Sequence, residues 1–317
     1  MKSAPIIIGS ERSEAGLFAG AQLLGQGASA LDAVEAALRL CEDNLEDHYV
    51  GTGGLPNARG VVELDASLMI GSTRAFAGVG ALQGFAHPIS VARMMLERLP
   101  QHSLLVGEGA ELFARECGFE RAELLTDEAR EIFRNALAPS DQSVEGENTL
   151  ATSGDEAYRR SALELVRRLS PHDGPWGTIN VIALDEHGEL VAGVSTSGYP
   201  WKYPGRVGDS ALPGAGNYCD ARYGAAACTG RGELAMRVTG AREVVDRLAG
   251  GEEPEDACRS MLRHAADLVD AFRSELRTLC LTPEGRHGAA ASQSGATYNV
   301  ISAATGTLDV RPRAVVQ

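Results

Sequence analysis

The middle of the chain constrains its fold most. Gly177-Thr178-Ile179-Asn180-Val181-Ile182-Ala183-Leu184-Asp185 opens on a glycine–threonine bond and continues as an apolar strand. A second apolar strand is expected over 190–196, and Glu186-His187-Gly188 joins the two as a hairpin. Hairpins also mark the first half. Strands are expected near 6–9, over 61–70 and 73–79 and at 104–106, with helices over 11–25, 29–41, 88–99 and 108–117. Gly78, Gly80 and Gly84 read as turns with close backbone approach. In the second half a strand is expected near 225–229, helices over 233–249 and 254–276, and final strands over 296–303 and 307–311. Hairpins in place of βαβ crossings imply an α+β protein whose antiparallel sheets are covered by helices.

Between the halves, amphipathic pieces over 127–136 and 156–169 flank a polar stretch, Pro139-Ser140-Asp141-Gln142-Ser143-Val144-Glu145-Gly146-Glu147-Asn148, which is expected to be a mobile linker over about 138–155. The 317 residues fit one large domain or two average ones. The net charge of −14 argues against binding to nucleic acid or to anionic membranes. The apolar run in Met1-Lys2-Ser3-Ala4-Pro5-Ile6-Ile7-Ile8-Gly9 is too short for a secretory signal, and no stretch approaches the ~18–20 apolar residues of a membrane span. Cys41, Cys117, Cys219, Cys228, Cys258 and Cys280 form no CxxC pair and have no metal-ligand spacing, so buried free thiols in a cytoplasmic, reducing setting are expected. The histidines, His172 near the central bond among them, have no ligand spacing either, and no metal or organic cofactor is implied. Gly51-Thr52-Gly53-Gly54 lacks the Lys-Ser/Thr and the βαβ frame of a phosphate cradle.

Three elements after the glycine–threonine bond carry chemistry. A threonine hydroxyl within a chain lacks a base, whereas an N-terminal threonine has its own α-amine, with a pKa near ~8, to take the hydroxyl proton. If the chain is cut before Thr178, that residue becomes such a nucleophile, and Gly177 permits the strained backbone of an N→O acyl shift. In Gly205-Arg206-Val207-Gly208-Asp209-Ser210, the Arg206 fork suits an α-carboxylate and Asp209 an α-ammonium; a structural ion pair on a loop is the competing interpretation. Thr229-Gly230-Arg231-Gly232 offers a hydroxyl and an unhindered N–H as oxyanion donors, or is a plain strand-to-helix turn. Thr196, at the end of the partner strand, is placed to hydrogen-bond Thr178.

Taken together, the chain resembles the Ntn-hydrolase asparaginase family of glycosylasparaginase, plant-type asparaginase/isoaspartyl peptidase and taspase. The order and spacing of Thr178, Thr196, Arg206, Asp209, Thr229, Gly230 and Gly232 carry the resemblance, together with Pro213-Gly214-Ala215-Gly216. Ser29-Ala30-Leu31-Asp32-Ala33-Val34-Glu35, Glu63-Leu64-Asp65-Ala66-Ser67-Leu68-Met69, Gly78-Val79-Gly80-Ala81-Leu82 and Leu104-Leu105-Val106-Gly107-Glu108 look like the glycosylasparaginase branch. The resemblance implies a four-layer αββα sandwich, made as one precursor and cut at Gly177–Thr178 into an α-subunit (1–177) and a β-subunit (178–317) that pair further into a homodimer of αβ units. It implies hydrolysis of the β-amide of a small aspartyl substrate, of the N4-(β-N-acetylglucosaminyl)-L-asparagine type, with release of L-aspartate. Thr178 would be the nucleophile, supported by Thr196. Arg206 would hold the α-carboxylate, Asp209 and the Gly232 carbonyl the α-amine, and Thr229 with Gly230 the oxyanion; Val207, Gly208 and Arg231 complete the binding blocks. Isoaspartyl dipeptides and free asparagine present the same end, and an unprocessed chain that only binds an amino acid is the non-enzymatic alternative. A taspase-like endoprotease fits less well, because this clamp wants a free α-amine and α-carboxylate. There are three departures. Gly9-Ser10-Glu11 stands where glycosylasparaginases usually carry a cleft Trp; Trp176 and Trp201, which flank the hairpin, are either a substitute aromatic wall or core residues. Gly177 stands where glycosylasparaginase and taspase have Asp, and Asn180 where the family usually has Gly.

Overall fold

The computed structural model describes residues 4–138, 161–169, 177–272 and 274–316. The strands in chain order are β1 (Ile6–Ser10), β2 (Leu64–Ile70), β3 (Phe76–Leu82), β4 (Leu104–Val106), β5 (Ile179–Leu184), β6 (Leu190–Thr196), β7 (Asn217–Asp220), β8 (Gly224–Gly230), β9 (Leu276–Leu281), β10 (His287–Ala291), β11 (Thr297–Ser302), β12 (Leu308–Pro312) and β13 (Ala314–Val315). They form an eight-stranded sheet, β12-β11-β1-β5-β6-β2-β3-β4, and a five-stranded sheet, β13-β10-β9-β8-β7. The expected β5–β6 hairpin lies at the centre of the larger sheet. The antiparallel expectation holds except at β3–β4 and β10–β13, which are parallel.

Helices α1 (Glu14–Gly25), α2 (Ala30–Glu42), α3 (Pro88–Arg98), α4 (Gly107–Glu116), α5 (Asp127–Leu137) and α6 (Ala162–Leu169) belong to the first half; α7 (Gly232–Val238), α8 (Gly240–Ala249) and α9 (Pro254–Ala266) belong to the second. Ser29 caps α2 by accepting the Asp32 N–H at 3.1 Å, satisfying one of the orphan donors of a helix start. Three core clusters follow from strand alternation. Val181 and Ala183 pack with Leu17, Val34, Leu38 and Ile89 of α1–α3. Ile8, Ile182 and Ala192 of the larger sheet pack against Cys219, Ala225, Ala227 and Leu279 of the smaller one. Ala226 and Cys228 pack with Val244, Cys258 and Met261 of α8 and α9. Strands covered on both faces need apolar residues at successive positions, which is why 179–184 and 225–228 read as continuous apolar runs.

Several expectations are corrected. The helix over 233–249 is two helices, broken at Thr239, whose φ is +50°. The helix over 254–276 ends at Ala266, and its last residues belong to the turn before β9 and to β9 itself. β7, β9, β10 and β13 were not foreseen. Gly78 and Gly80 lie inside β3 instead of in turns; a Cβ on Gly78 would come within 2.7 Å of the Ala211 carbonyl oxygen, so the close approach holds. The linker over 138–155, apart from Ala138, lies outside the described residues, as do Trp176, His172 and the start of the 156–169 piece. All six cysteines are free, and all but Cys117 are buried. Among the described residues no helix is long and apolar enough to cross a membrane.

One ion pair ties the two sheets beside the central strands. The Arg313 side chain, 0% exposed, donates to the carbonyl of Thr297 (2.7 Å) in the larger sheet and to that of Thr278 (2.8 Å) in the smaller. Its counter-ion Glu11, 3.2 Å away, directly follows β1 and accepts the Thr297 N–H. Arg313→Met is therefore expected to destabilise the protein by roughly 3 kcal/mol, since the two carbonyls lose their buried donor and Glu11 keeps only Arg277, 3.2 Å away, as counter-ion. Urea unfolding should recover part of that loss in the double variant Arg313→Met/Glu11→Gln.

Candidate active site

The antiparallel register of β5 and β6, with Ile179 opposite Ser195, brings the residues preceding β5 beside the end of β6. The Thr196 hydroxyl donates to the Gly177 carbonyl at 2.9 Å and accepts the Gly198 N–H at 2.9 Å. The expected partner of Thr196 was Thr178; its nearer acceptor is instead the carbonyl of the bond before Thr178, with the Tyr49 carbonyl at 3.3 Å. The Thr178 carbonyl is held from the other side. Ser10, at the end of β1, donates its hydroxyl to it at 3.1 Å and accepts the Asn180 N–H at 3.0 Å. Thr178 is buried, and its hydroxyl makes no hydrogen bond to the described residues. A Cβ at position 177 would fall 2.2 Å from Tyr49 Cβ and 2.4 Å from Arg12 Nη2, so only glycine fits there.

The glycine-rich loop after β6 is pinned from β2 and the residue before it. The Glu63 carboxylate accepts the Gly205 N–H at 3.0 Å. The Asp65 carboxylate accepts the N–H of Gly208 at 3.0 Å and that of Ala81 at 2.8 Å. Lys202 is buried in the same loop and donates to the Glu63 carbonyl at 3.0 Å; burial pulls its pKa down. Held in this way, Arg206 and Asp209 do not form the loop ion pair that was the alternative. Arg206 pairs with Glu233, through Nε at 3.1 Å and Nη2 at 2.9 Å, and lies 4.4 Å over the Tyr199 ring. Asp209 is 6% exposed, and its Oδ2 has no hydrogen-bond partner. Burial pushes its carboxyl up to about 7; the Arg206 charge works against that rise, while Glu233 and Asp65 add to it.

β8 brings the third element. Thr229 is buried, and its Oγ accepts from the Asn180 side-chain amide at 2.5 Å. Gly230 has a φ of +111°, and a Cβ on it would come within 2.1 Å of the Glu275 carbonyl oxygen. At Gly232 a Cβ would meet Asp209 Oδ1 at 2.6 Å, so this glycine makes room for the Asp209 carboxylate. Arg231 pairs with Glu233 (3.0 Å) and Asp270 (3.2 Å) and donates to the Tyr199 hydroxyl at 2.8 Å.

Of the residues singled out in the sequence, Gly177, Thr178, Thr196, Arg206, Gly208, Asp209 and Gly230 line one pocket. Gly198, Tyr199 and Ser210 complete its wall. The cavity is about 10 Å³, room for about one water. Val207, Thr229, Arg231 and Gly232 stand off the lining: Val207 packs toward Gly80 of β3, and Thr229 is reached through Asn180. Sequence reasoning missed Ser10 as a clamp and missed Tyr199, Asp65 and Glu233 altogether. The one available signal was an acidic residue directly following the Thr229-Gly230-Arg231-Gly232 block. Among the described residues no group of three or more His, Cys, Asp or Glu side chains is placed to hold a metal ion.

Comparison with known proteins points the same way as the geometry. A family model described as asparaginase matches residues 11–308. An N(4)-(β-N-acetylglucosaminyl)-L-asparaginase from Mus musculus is 35% identical over 274 residues, covering 84% of this chain and 78% of that protein. A protein of the same name from Elizabethkingia miricola is 34% identical over 289 residues, covering 88% and 76%. An isoaspartyl peptidase/L-asparaginase from Danio rerio is 33% identical over 256 residues, covering 80% and 74%.

Asp209 generates a pH-dependent prediction. Its folded pKa of about 7 lies above the ordinary value of 3.8, so its charge penalises the folded state from about pH 4 upward and fully above pH 7. Asp209→Asn, compared in chains that also carry Thr178→Ala, should raise stability at pH 8 by a few kcal/mol, since each tenfold change in proton affinity is worth about 1.4 kcal/mol. The gain should shrink as pH falls and vanish near pH 4. Thermal melts across that range check it, and a gain independent of pH would contradict the buried, unpaired carboxylate.

Proposed function

The chain belongs to the asparaginase family, amidohydrolases that act on C–N amide bonds, and from that premise we propose that it is a self-processing threonine amidohydrolase. Its proposed substrates carry a β-aspartyl amide, N4-(β-N-acetylglucosaminyl)-L-asparagine foremost, and its product is L-aspartate. The observation that carries this proposal is that the Gly177–Thr178 peptide forms part of the wall of the pocket that also holds Arg206 and Asp209. The three core clusters, helix-to-sheet, sheet-to-sheet and sheet-to-helix, support a four-layer αββα sandwich. In this proposal 1–177 and 178–317 are the α- and β-subunits, and two αβ units pair as a homodimer.

Self-cleavage begins with attack of the Thr178 hydroxyl on the Gly177 carbonyl carbon; the Gly177 C–Thr178 N bond then breaks, and the hydroxyl proton passes to that nitrogen, which becomes the α-amine. The Thr196 hydroxyl already donates to that carbonyl oxygen, where negative charge develops. The resulting ester is hydrolysed by water, leaving a carboxylate on Gly177 and a free α-amine on Thr178. In turnover that amine takes the proton of the Thr178 hydroxyl, which attacks the β-carbonyl of the substrate. Arg206 exchanges the Glu233 carboxylate for the substrate α-carboxylate, and the α-ammonium supplies the counter-charge that Asp209 lacks. The Thr229 hydroxyl and the Gly230 N–H receive the oxyanion. The amine leaves with a proton from the α-ammonium of Thr178, and water then hydrolyses the aspartyl ester. Isoaspartyl dipeptides and asparagine offer the same aspartyl end. Ser10, in place of an aromatic wall and committed to holding Thr178 and Asn180, keeps them as the second proposed substrate class.

Gel electrophoresis and intact mass of the purified protein should show two fragments divided before Thr178. A panel of GlcNAc-Asn, β-Asp-Leu and asparagine should show turnover by the cleaved protein, with GlcNAc-Asn preferred. Thr178→Ala should neither cleave itself nor turn over any of the three; either activity in that variant, or a single full-length wild-type band after long incubation, sinks the mechanism. Thr196→Val should slow self-cleavage by about 10²–10³-fold, as loss of an oxyanion donor does.

A further inference from the structure

We propose that Asn180 is a positioning residue, whose side-chain amide donates to the Thr229 hydroxyl oxygen and so leaves the hydroxyl proton free for the oxyanion in turnover. The inference rests on the function proposed above and assigns this residue a role within it. Asn180 is the second residue of β5, two positions after Thr178, and is 0% exposed. Its side chain crosses from the larger sheet to β8 of the smaller one. There it meets two oxygens, the Cys228 carbonyl at 3.0 Å and Thr229 Oγ at 2.5 Å.

The chemistry of those two oxygens fixes the amide. A backbone carbonyl only accepts, so the atom facing Cys228 must be the NH₂ group. The same nitrogen then donates its second hydrogen to Thr229 Oγ. A hydroxyl oxygen that accepts from Asn180 keeps its own proton for another partner. Asn180 Oδ1 is left buried without a hydrogen-bond partner. Turning the amide over would give Oδ1 the Thr229 proton, but would set it against the Cys228 carbonyl oxygen and consume the proton the oxyanion needs. The orphaned acceptor is thus what this orientation leaves behind. Donation into Thr229 Oγ also polarises its O–H bond, which strengthens it as a donor.

The same geometry limits the effect to one of the two reactions. The Gly177 carbonyl, attacked in self-cleavage, is served by Thr196. Asn180 acts through Thr229 and therefore on turnover alone.

The test compares wild type, Asn180→Ala, Asn180→Asp, Thr229→Val and the double variant Asn180→Ala/Thr229→Val for self-cleavage rate and, on cleaved protein, for kcat and KM. Asn180→Ala should lower kcat roughly tenfold, short of the 10²–10³ of a whole lost donor, with KM and self-cleavage within twofold of wild type. In the Thr229→Val background the same substitution should change kcat less than twofold. Asn180→Asp, nearly the same shape, presents a carboxylate that takes the Thr229 proton. Its kcat relative to wild type should fall about 100-fold at pH 8 and rise as pH drops through the carboxylate pKa. The ratio cancels titration of the Thr178 amine, which both proteins share. Additive losses in the double variant, an unchanged kcat in Asn180→Ala, arrested self-cleavage, or an Asn180→Asp ratio flat with pH would each overturn the assignment. An inactive wild type or an active Thr178→Ala would instead overturn the proposed function, so the two failures are distinct.

Discussion

The hydrogen bond from Thr196 to the Gly177 carbonyl is the contact on which the site turns. It exists because β5 and β6 pair in one register at the centre of the larger sheet. A slip of one residue would reverse the facing of every side chain in β5 and carry Thr196 away from Gly177. β1, on the other flank of β5, adds the second constraint through Ser10, which holds the Thr178 carbonyl. The carbonyls before and after Thr178 are thereby fixed by neighbouring strands, while its own hydroxyl has no hydrogen-bond partner among the described residues. Tyr49 and Arg12 close over position 177 so tightly that a side chain there has no space. A peptide held at both ends beside an unengaged hydroxyl is preorganised for attack, because little conformational freedom remains to be lost.

Charge is arranged by the same logic of unfilled partnerships. Arg206 is neutralised by Glu233 and lies over the Tyr199 ring, so its burial costs little. Asp209 has no such partner for Oδ2, which is why burial drives its carboxyl upward. The pocket is therefore asymmetric: in the proposed mechanism its cation trades one carboxylate for another, whereas its anion gains a partner for Oδ2. A zwitterionic aspartyl end satisfies both conditions. A carboxylic acid without the amine satisfies only the first, and leaves Asp209 buried without a counter-ion on Oδ2.

Much of this was legible in the residues, and the failures have physical causes. The apolar runs of β5 and β6, the Arg206–Asp209 loop and the Ser29 cap signal themselves locally. β10, Gly288-Ala289-Ala290-Ala291 after His287, carries almost no strand propensity; it pairs because β9 lies beside it and α9 covers it, and burial of that kind is invisible in a short window. The helix expected over 254–276 stops at Ala266, and Val269 just beyond it is 91% exposed, so no core holds the chain in a helix there. Arg206 and Asp209 suggest an ion pair because they are three residues apart. The partner that prevails, Glu233, lies 27 residues away and arrives only because β8 and α7 fold back over the loop. Sequence neighbours carry local chemistry well; long-range pairing and the direction of a hydroxyl depend on the folded sheets.

In the proposed mechanism the pocket must stabilise two carbonyls in succession, that of Gly177 and then that of a substrate, and the two cannot be present together. The α-amine that turnover needs is freed only when the Gly177 carbonyl has been released. That mechanism assigns the two carbonyls to different threonines, which lie on different sheets: Thr196 on β6 to the first and Thr229 on β8 to the second. A single donor shared by both reactions would have to suit an oxygen inside the chain and one on a freely diffusing ligand, in the same position. Two donors remove that conflict, but only if Thr229 keeps its proton unspent until substrate arrives. Thr229 is 4% exposed, in a site with little room for water to hold its hydroxyl, so a neighbouring side chain must set the direction. Asn180, reaching across from the strand that begins just after the nucleophile, is the group in place to do so.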